Sequence, residues 1–107
     1  MYFLGIDLGS SSIKLSIYDA DKGATIASVG VPEQEMVFFA ENYGWAEQDP
    51  NQWWSYVKTG LKMLSTTYRI NLKHVAGIGI AYQMHGLVLT DEKLNPVRPS
   101  IIWCDSR

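Results

Sequence analysis

Three strand-like runs open this chain with only short turns between them, and that spacing constrains the fold more than any other feature. Tyr2 to Asp7 is a short apolar run. Ile13, Leu15 and Ile17 then alternate with Lys14, Ser16 and Tyr18, the period-two pattern of a half-buried strand. Ala24 to Val31 is a third run, and Asp19-Ala20-Asp21-Lys22-Gly23 is the turn before it. A parallel pairing needs a crossover of about a dozen residues or more, and neither link is that long. The three runs are therefore expected to pair as an antiparallel meander.

The rest of the chain adds one helix and a returning strand. Glu33 to Gly44 shows no period and reads as a loop. Asp49-Pro50 is a helix start, with Asp as the cap and Pro at the first helical position. Trp53 or Trp54, Val57, Leu61, Leu64 and Tyr68 follow at spacings of three and four and make one apolar stripe. Gly60 interrupts it at about 1 kcal/mol relative to Ala. Val75 to Ala81 reads as a buried strand, parallel to an earlier one through a right-handed crossover. Leu87 to Leu89 and Ile101 to Trp103 read as two short strands around the polar turn Asp91 to Asn95. The expected fold class is α/β, with a mixed sheet. One helix is thin cover for two faces, so the 107 residues read as one incomplete domain, the first piece of something longer.

Charge and composition exclude several classes. The net charge is −2 with no basic patch, which argues against a nucleic-acid backbone as partner. No apolar run is long enough to span a membrane, and the N-terminus lacks the basic opening of a signal peptide. A single cysteine, Cys104, cannot form an internal disulfide and is expected to be buried or half-buried. A reducing, cytoplasmic compartment is the expectation.

The chemistry concentrates at Asp7-Leu8-Gly9-Ser10-Ser11-Ser12-Ile13-Lys14. Gly9 allows a tight turn, and successive backbone N–H groups with serine hydroxyls can form an anion nest. Asp7 ends its strand at the same place, where a carboxylate can hold a hydrated Mg²⁺. Lys14 can reach a phosphate or lie on a solvated strand face. The alternative is a plain hairpin turn with an Asp at its edge. It is not a Walker A loop, because that motif opens a helix.

This segment resembles the first phosphate motif of the actin-like ATPase superfamily, whose members are built on ribonuclease-H-like domains. Within that superfamily, three further segments resemble the FGGY carbohydrate kinases. They are Gly44-Trp45-Ala46-Glu47-Gln48-Asp49-Pro50 with Trp53-Trp54, Gln83-Met84-His85-Gly86, and Ile101-Ile102-Trp103-Cys104-Asp105-Ser106-Arg107. The last two are similar to the xylulokinases among them.

The resemblance implies an ATP- and Mg²⁺-dependent kinase that phosphorylates D-xylulose at its 5-hydroxyl. Asp7 would sit by the metal, through water, and by the sugar. Gly9, Ser10, Ser11 and Ser12, with Lys14, would face the phosphates of ATP. Gln83, Met84 and His85 would be on the sugar side. Trp103 and Asp105 would shape the sugar pocket less directly. The family's catalytic base is an Asp beyond position 107, and its adenine pocket belongs to a second domain. The chain is therefore expected to be the N-terminal part of the first domain, inactive alone, with a homodimer open to the parent.

Several residues keep a structural alternative. Glu47 reads as a ligand, a solvated loop carboxylate or a cap partner. His85 and Met84, taken alone, read as a hydrogen-bonded histidine and core filler. Trp45 and Trp103 are candidates for a pocket wall, while one of Trp53 and Trp54 should be core. Two other classes stay on the table: a stand-alone ribonuclease-H-like binding module, and a two-metal nuclease. The nuclease would need several gathered carboxylates, and Asp7 is alone.

Overall fold

The structure is a computed structural model and describes residues 1–107. Strands β1 (Tyr2–Leu8), β2 (Ile13–Asp19) and β3 (Ala24–Val31) form the antiparallel meander. The helix α1 (Pro50–Thr66) follows, its first turn closed by the Asp49 carboxylate, which accepts the Asn51 N–H. A 3-10 turn at Leu72–His74 then leads into β5 (Val75–Tyr82), which runs parallel to β1. The sheet order is β3-β2-β1-β5. Tyr68 lies beyond the helix end and is exposed.

The core lies between α1 and one half of the sheet. Trp53, Val57, Gly60 and Leu64 form the buried stripe of the helix. They pack over Ile13, Leu15 and Ile17 of β2 and Ala27 and Val29 of β3. Each fully buried aliphatic side chain contributes roughly 1.5–3 kcal/mol of transfer free energy. Gly60 is where helix and sheet come closest. A Cβ there would stand 2.6 Å from Leu15 Cδ1.

The strand β5 departs from the expectation of burial. Its register places Ile78 beside Leu4, Ile80 beside Ile6 and Tyr82 beside Leu8, on the helix side of the sheet. Yet Ile78 and Ile80 are 62% and 63% exposed and Tyr82 is 75% exposed. The physical reason is position: α1 sits over β2 and β3 and does not reach across β1 to the edge.

The C-terminal third also differs from expectation. Leu87–Leu89 is not a strand, although Leu87 exchanges two backbone hydrogen bonds with Ile101. The second strand there is β6 (Ser100–Ile101), and its partner is β4 (Glu47–Gln48), antiparallel. This small sheet, with Ile102 N–H on the Ala46 carbonyl at 3.1 Å, brings the end of the chain against the segment before α1. Asp91 closes its predicted turn by accepting the N–H groups of Lys93 and Asn95.

Candidate functional site

The parallel neighbours β1 and β5 both release their chains at the same end of the sheet. Ligands of open α/β sheets bind outside the carboxyl ends of such strands. The turn Gly9–Ser12 follows β1 and the segment Gln83–Gly86 follows β5. The Gln83 N–H donates to the Leu8 carbonyl at 2.9 Å and so binds the two together.

The Gly9–Ser12 turn is held from several sides. Within it, the Gly9 N–H donates to the Ser12 carbonyl at 3.1 Å. A Cβ on residue 9 would lie 2.8 Å from that carbonyl oxygen, so only glycine fits. The Ser10 carbonyl accepts Gln48 Nε2 at 2.7 Å, and the Ser11 carbonyl accepts the Met36 N–H at 2.8 Å. Gln48 Oε1 in turn accepts Trp53 Nε1 at 3.1 Å. Ser10 Oγ accepts Trp103 Nε1 at 3.0 Å. The backbone N–H groups of Ser10, Ser11 and Ser12 donate to no protein group. Three consecutive free donors in a fixed turn are the groups that an anion nest is built from.

Asp7 and Lys14 stand opposite each other on β1 and β2, on the face away from α1. Both are exposed, and no ion pair within 4.0 Å joins them. Lys14, Ser11, Ser12, Gly30, Pro32, Glu33 and Glu35 line a polar groove of about 540 Å³ beside the turn. No group of three metal-binding side chains gathers anywhere in the chain. Asp7 thus has no companion ligands around it, and its carboxylate is exposed.

In the segment after β5, His85 has a φ of +58°, a left-handed conformation that is uncommon outside glycine. It sits at a sharp reversal, and Met84 and His85 are both exposed there. Met84 is therefore not core filler in this chain. Both amide atoms of the Gln83 side chain are buried without a partner. Such groups are rare in folded proteins, and they are met by water, an ion or a partner.

The C-terminal segment is organised around ion pairs. The Asp105 carboxylate accepts the Ala46 N–H at 2.7 Å and takes Arg107 Nη2 at 2.6 Å. Its hydrogen bonds from Arg107, in first place, hold it well below the usual carboxylate range, and the same pair pushes the Arg107 guanidinium up. Arg107 also lies 3.9 Å over the Trp45 ring and reaches Glu47 Oε1 at 2.9 Å. Arg98 binds the same Glu47 oxygen. Glu47 is therefore a buried carboxylate shared by two arginines, neither solvated nor free as a ligand. Cys104 is exposed, against expectation, because the chain turns outward between Trp103 and Asp105.

The structure thus brings Gly9–Ser12, Gln83 and Trp103 together and sets Asp7 and Lys14 on the adjoining face. It ties Asp105 into the support behind Trp45. Gln48 enters the sequence reading only as part of the Gly44–Pro50 motif, with no role of its own. Its signature is a polar side chain just before the helix cap, without periodicity to mark it as buried.

Residues 2–107 match the N-terminal domain of the FGGY family of carbohydrate kinases. A xylulose kinase of Staphylococcus epidermidis is 42% identical over 104 residues, 97% of this chain and 20% of that protein. A xylulose kinase of Klebsiella pneumoniae is 39% identical over 105 residues, 98% of this chain and 20% of its own length. Among solved structures, a xyloylose kinase from Brucella ovis shares the fold with a TM-score of 0.89 and 32% identity, over 100% of this chain and 22% of that one. The chain spans about one fifth of the length of the curated relatives it matches. The fold is that of the actin-like ATPases, present here as part of a domain. On a match running from residue 2 to residue 107, the chain belongs to the FGGY family of carbohydrate kinases.

Proposed function

We propose that these residues are the sugar-side opening part of the first domain of an ATP-dependent ketose kinase that converts D-xylulose to D-xylulose 5-phosphate. The observation that carries this reading is the fixed turn with free N–H groups at Ser10, Ser11 and Ser12, beside the unpaired Asp7 carboxylate. Phosphoryl transfer needs charge neutralisation and positioning more than covalent help from the protein. The N–H nest and Lys14 would hold phosphate oxygens of ATP. Asp7 would hold the nucleotide's Mg²⁺ through water, and that ion supplies charge neutralisation when bound.

Met84 and His85, exposed at the carboxyl end of β5, would meet the sugar. Behind them the buried Gln83 amide keeps one donor pair and one acceptor free. Trp103 spends its N–H on Ser10, and so ties the sugar-side segment to the phosphate turn. Asp105 would act through Arg107 and the Ala46 N–H, fixing that segment. The isolated chain would lack a base for the attacking hydroxyl and would be inactive. Small molecules are the proposed partners, in the cytoplasm, with neither nucleic acid nor membrane involved. No helix is long and apolar enough to cross a membrane.

The test has two parts. The coding frame is read past the codon for Arg107, and the product is assayed for ADP release on a panel of D-xylulose, D-ribulose, glycerol and gluconate. A frame continuing to a product that prefers D-xylulose, with no ADP release from residues 1–107 alone, supports the proposal. Preference for another polyol overturns the substrate; turnover by the isolated chain overturns its inactivity. A second reading, a stand-alone binding module, is favoured by the open apolar strip of Ile78, Ile80 and Tyr82. A stop codon after Arg107 together with a defined dimer in sedimentation would support that reading instead.

A further inference from the structure

Gln48 is 3% exposed, and both ends of its amide are in use. The Trp53 indole can only donate, so it dictates which amide atom faces it. Oε1 must point to Trp53, and Nε2 is left to donate to the Ser10 carbonyl. A flipped amide would set donor against donor and acceptor against acceptor. Trp53 is itself buried on α1. The Ser10 carbonyl is therefore fastened to the helix through one side chain of defined orientation.

A trans peptide is planar, and its C=O and N–H point in opposite directions. Drawing the Ser10 carbonyl toward Gln48 thus turns the Ser11 N–H away from Gln48. The Met36 N–H does the same one residue later, drawing in the Ser11 carbonyl and turning out the Ser12 N–H. Two successive peptides are set with carbonyls held and donors free. Only the first is held by a side chain.

We propose that Gln48 is a positioning residue for phosphoryl transfer: through the Ser10 carbonyl it sets the direction of the Ser11 N–H toward a phosphate oxygen of the nucleotide. This rests on the kinase reading above. Gln48→Glu keeps the shape and the acceptor for Trp53 but puts an acceptor against the Ser10 carbonyl. Trp53→Phe keeps a ring in the core and removes the donor that orients the amide.

The experiment measures kcat, the KM for ATP and the KM for D-xylulose in the kinase that carries this chain, with thermal unfolding of each variant. A misplacement of about 1 Å at such a site costs on the order of 100-fold. Gln48→Glu is expected to lower kcat by about that factor while the ketose KM stays within about threefold. Trp53→Phe should fall between it and the wild type. If Gln48→Glu fails to fold, a lowered kcat in folded Trp53→Phe, at unchanged ketose KM, carries the proposal. A wild-type kcat in either folded variant overturns it, as does a parallel fall of kcat with the folded fraction, which marks a merely structural role. A wild-type protein inactive on every sugar and polyol tested overturns the kinase reading itself, and the proposal with it.

Discussion

Replacing Gly60 by Ala sets two effects of opposite sign against each other. In a helix interior Ala is favoured over Gly by about 1 kcal/mol. Here the new methyl would stand 2.6, 3.2 and 3.4 Å from three carbons of Leu15. Leu15 is 0% exposed, and Ile13 and Ile17 flank it on the same face of β2, so it has no empty space to rotate into. Overpacking of this kind costs roughly 1–3 kcal/mol. The upper part of that range applies, because the closest approach is far inside van der Waals contact. The expected net effect is a destabilisation of about 1–2 kcal/mol. Urea unfolding of the chain, followed by tryptophan fluorescence, reads it directly. In a Leu15→Ala background, itself destabilised by about 2–5 kcal/mol, the clash is gone and the same Gly60→Ala change should stabilise by about 1 kcal/mol. A Gly60→Ala protein more stable than wild type, or equal effects in both backgrounds, would refute the argument that glycine is there to let α1 approach β2.

Three further outcomes are expected. Asp105 has its carboxyl depressed by Arg107, so the folded form releases its proton at lower pH than the unfolded chain does. Its contribution is complete above roughly pH 4, the unfolded carboxyl range, and is lost as pH falls through the folded value. Acid unfolding of Asp105→Asn should accordingly lose steepness below about pH 4, while its slope between neutral pH and mild acid stays that of the wild type. Gln83→Met removes a buried amide with no protein partner and should stabilise the chain by about 1 kcal/mol in urea unfolding; an unchanged midpoint would show that the amide is satisfied by water. Asp49→Ala deletes the cap on Asn51 and should cost about 1 kcal/mol, seen as a loss of helical signal at lower urea.

The parts of the fold that are legible in the sequence are those set by local rules. Alternation marks β2, short links force the meander, and Asp49-Pro50 starts α1 where the apolar stripe begins. The exposure of β5 is not legible, because apolar side chains such as Ile78 record a need for cover without saying whether this chain supplies it. The small sheet escapes for another reason: β4 and β6 are two residues each, too short to show a period. At the site, Gly9 and the serines announce a tight turn rich in donors. What orients those donors does not show, since Gln48 and Trp103 act on Ser10 from 38 and 93 positions away. Glu47 is misleading in the same way, its arginines lying 51 and 60 positions along the chain.

The hydrogen bond between Ser10 and Trp103 joins residues near the two ends of these 107 residues. Closing a loop of that length carries an entropic cost that grows as the logarithm of its size, and no local element can meet it in advance. The hairpin of β1 and β2 can form early from neighbouring residues, whereas its turn acquires its final fastening only when the last strand of the small sheet has docked. The donors of the turn are thereby coupled to the small sheet, and are expected to share its opening events in amide exchange. Rigidity at this site is conferred by contacts far away in sequence, and not by the turn itself.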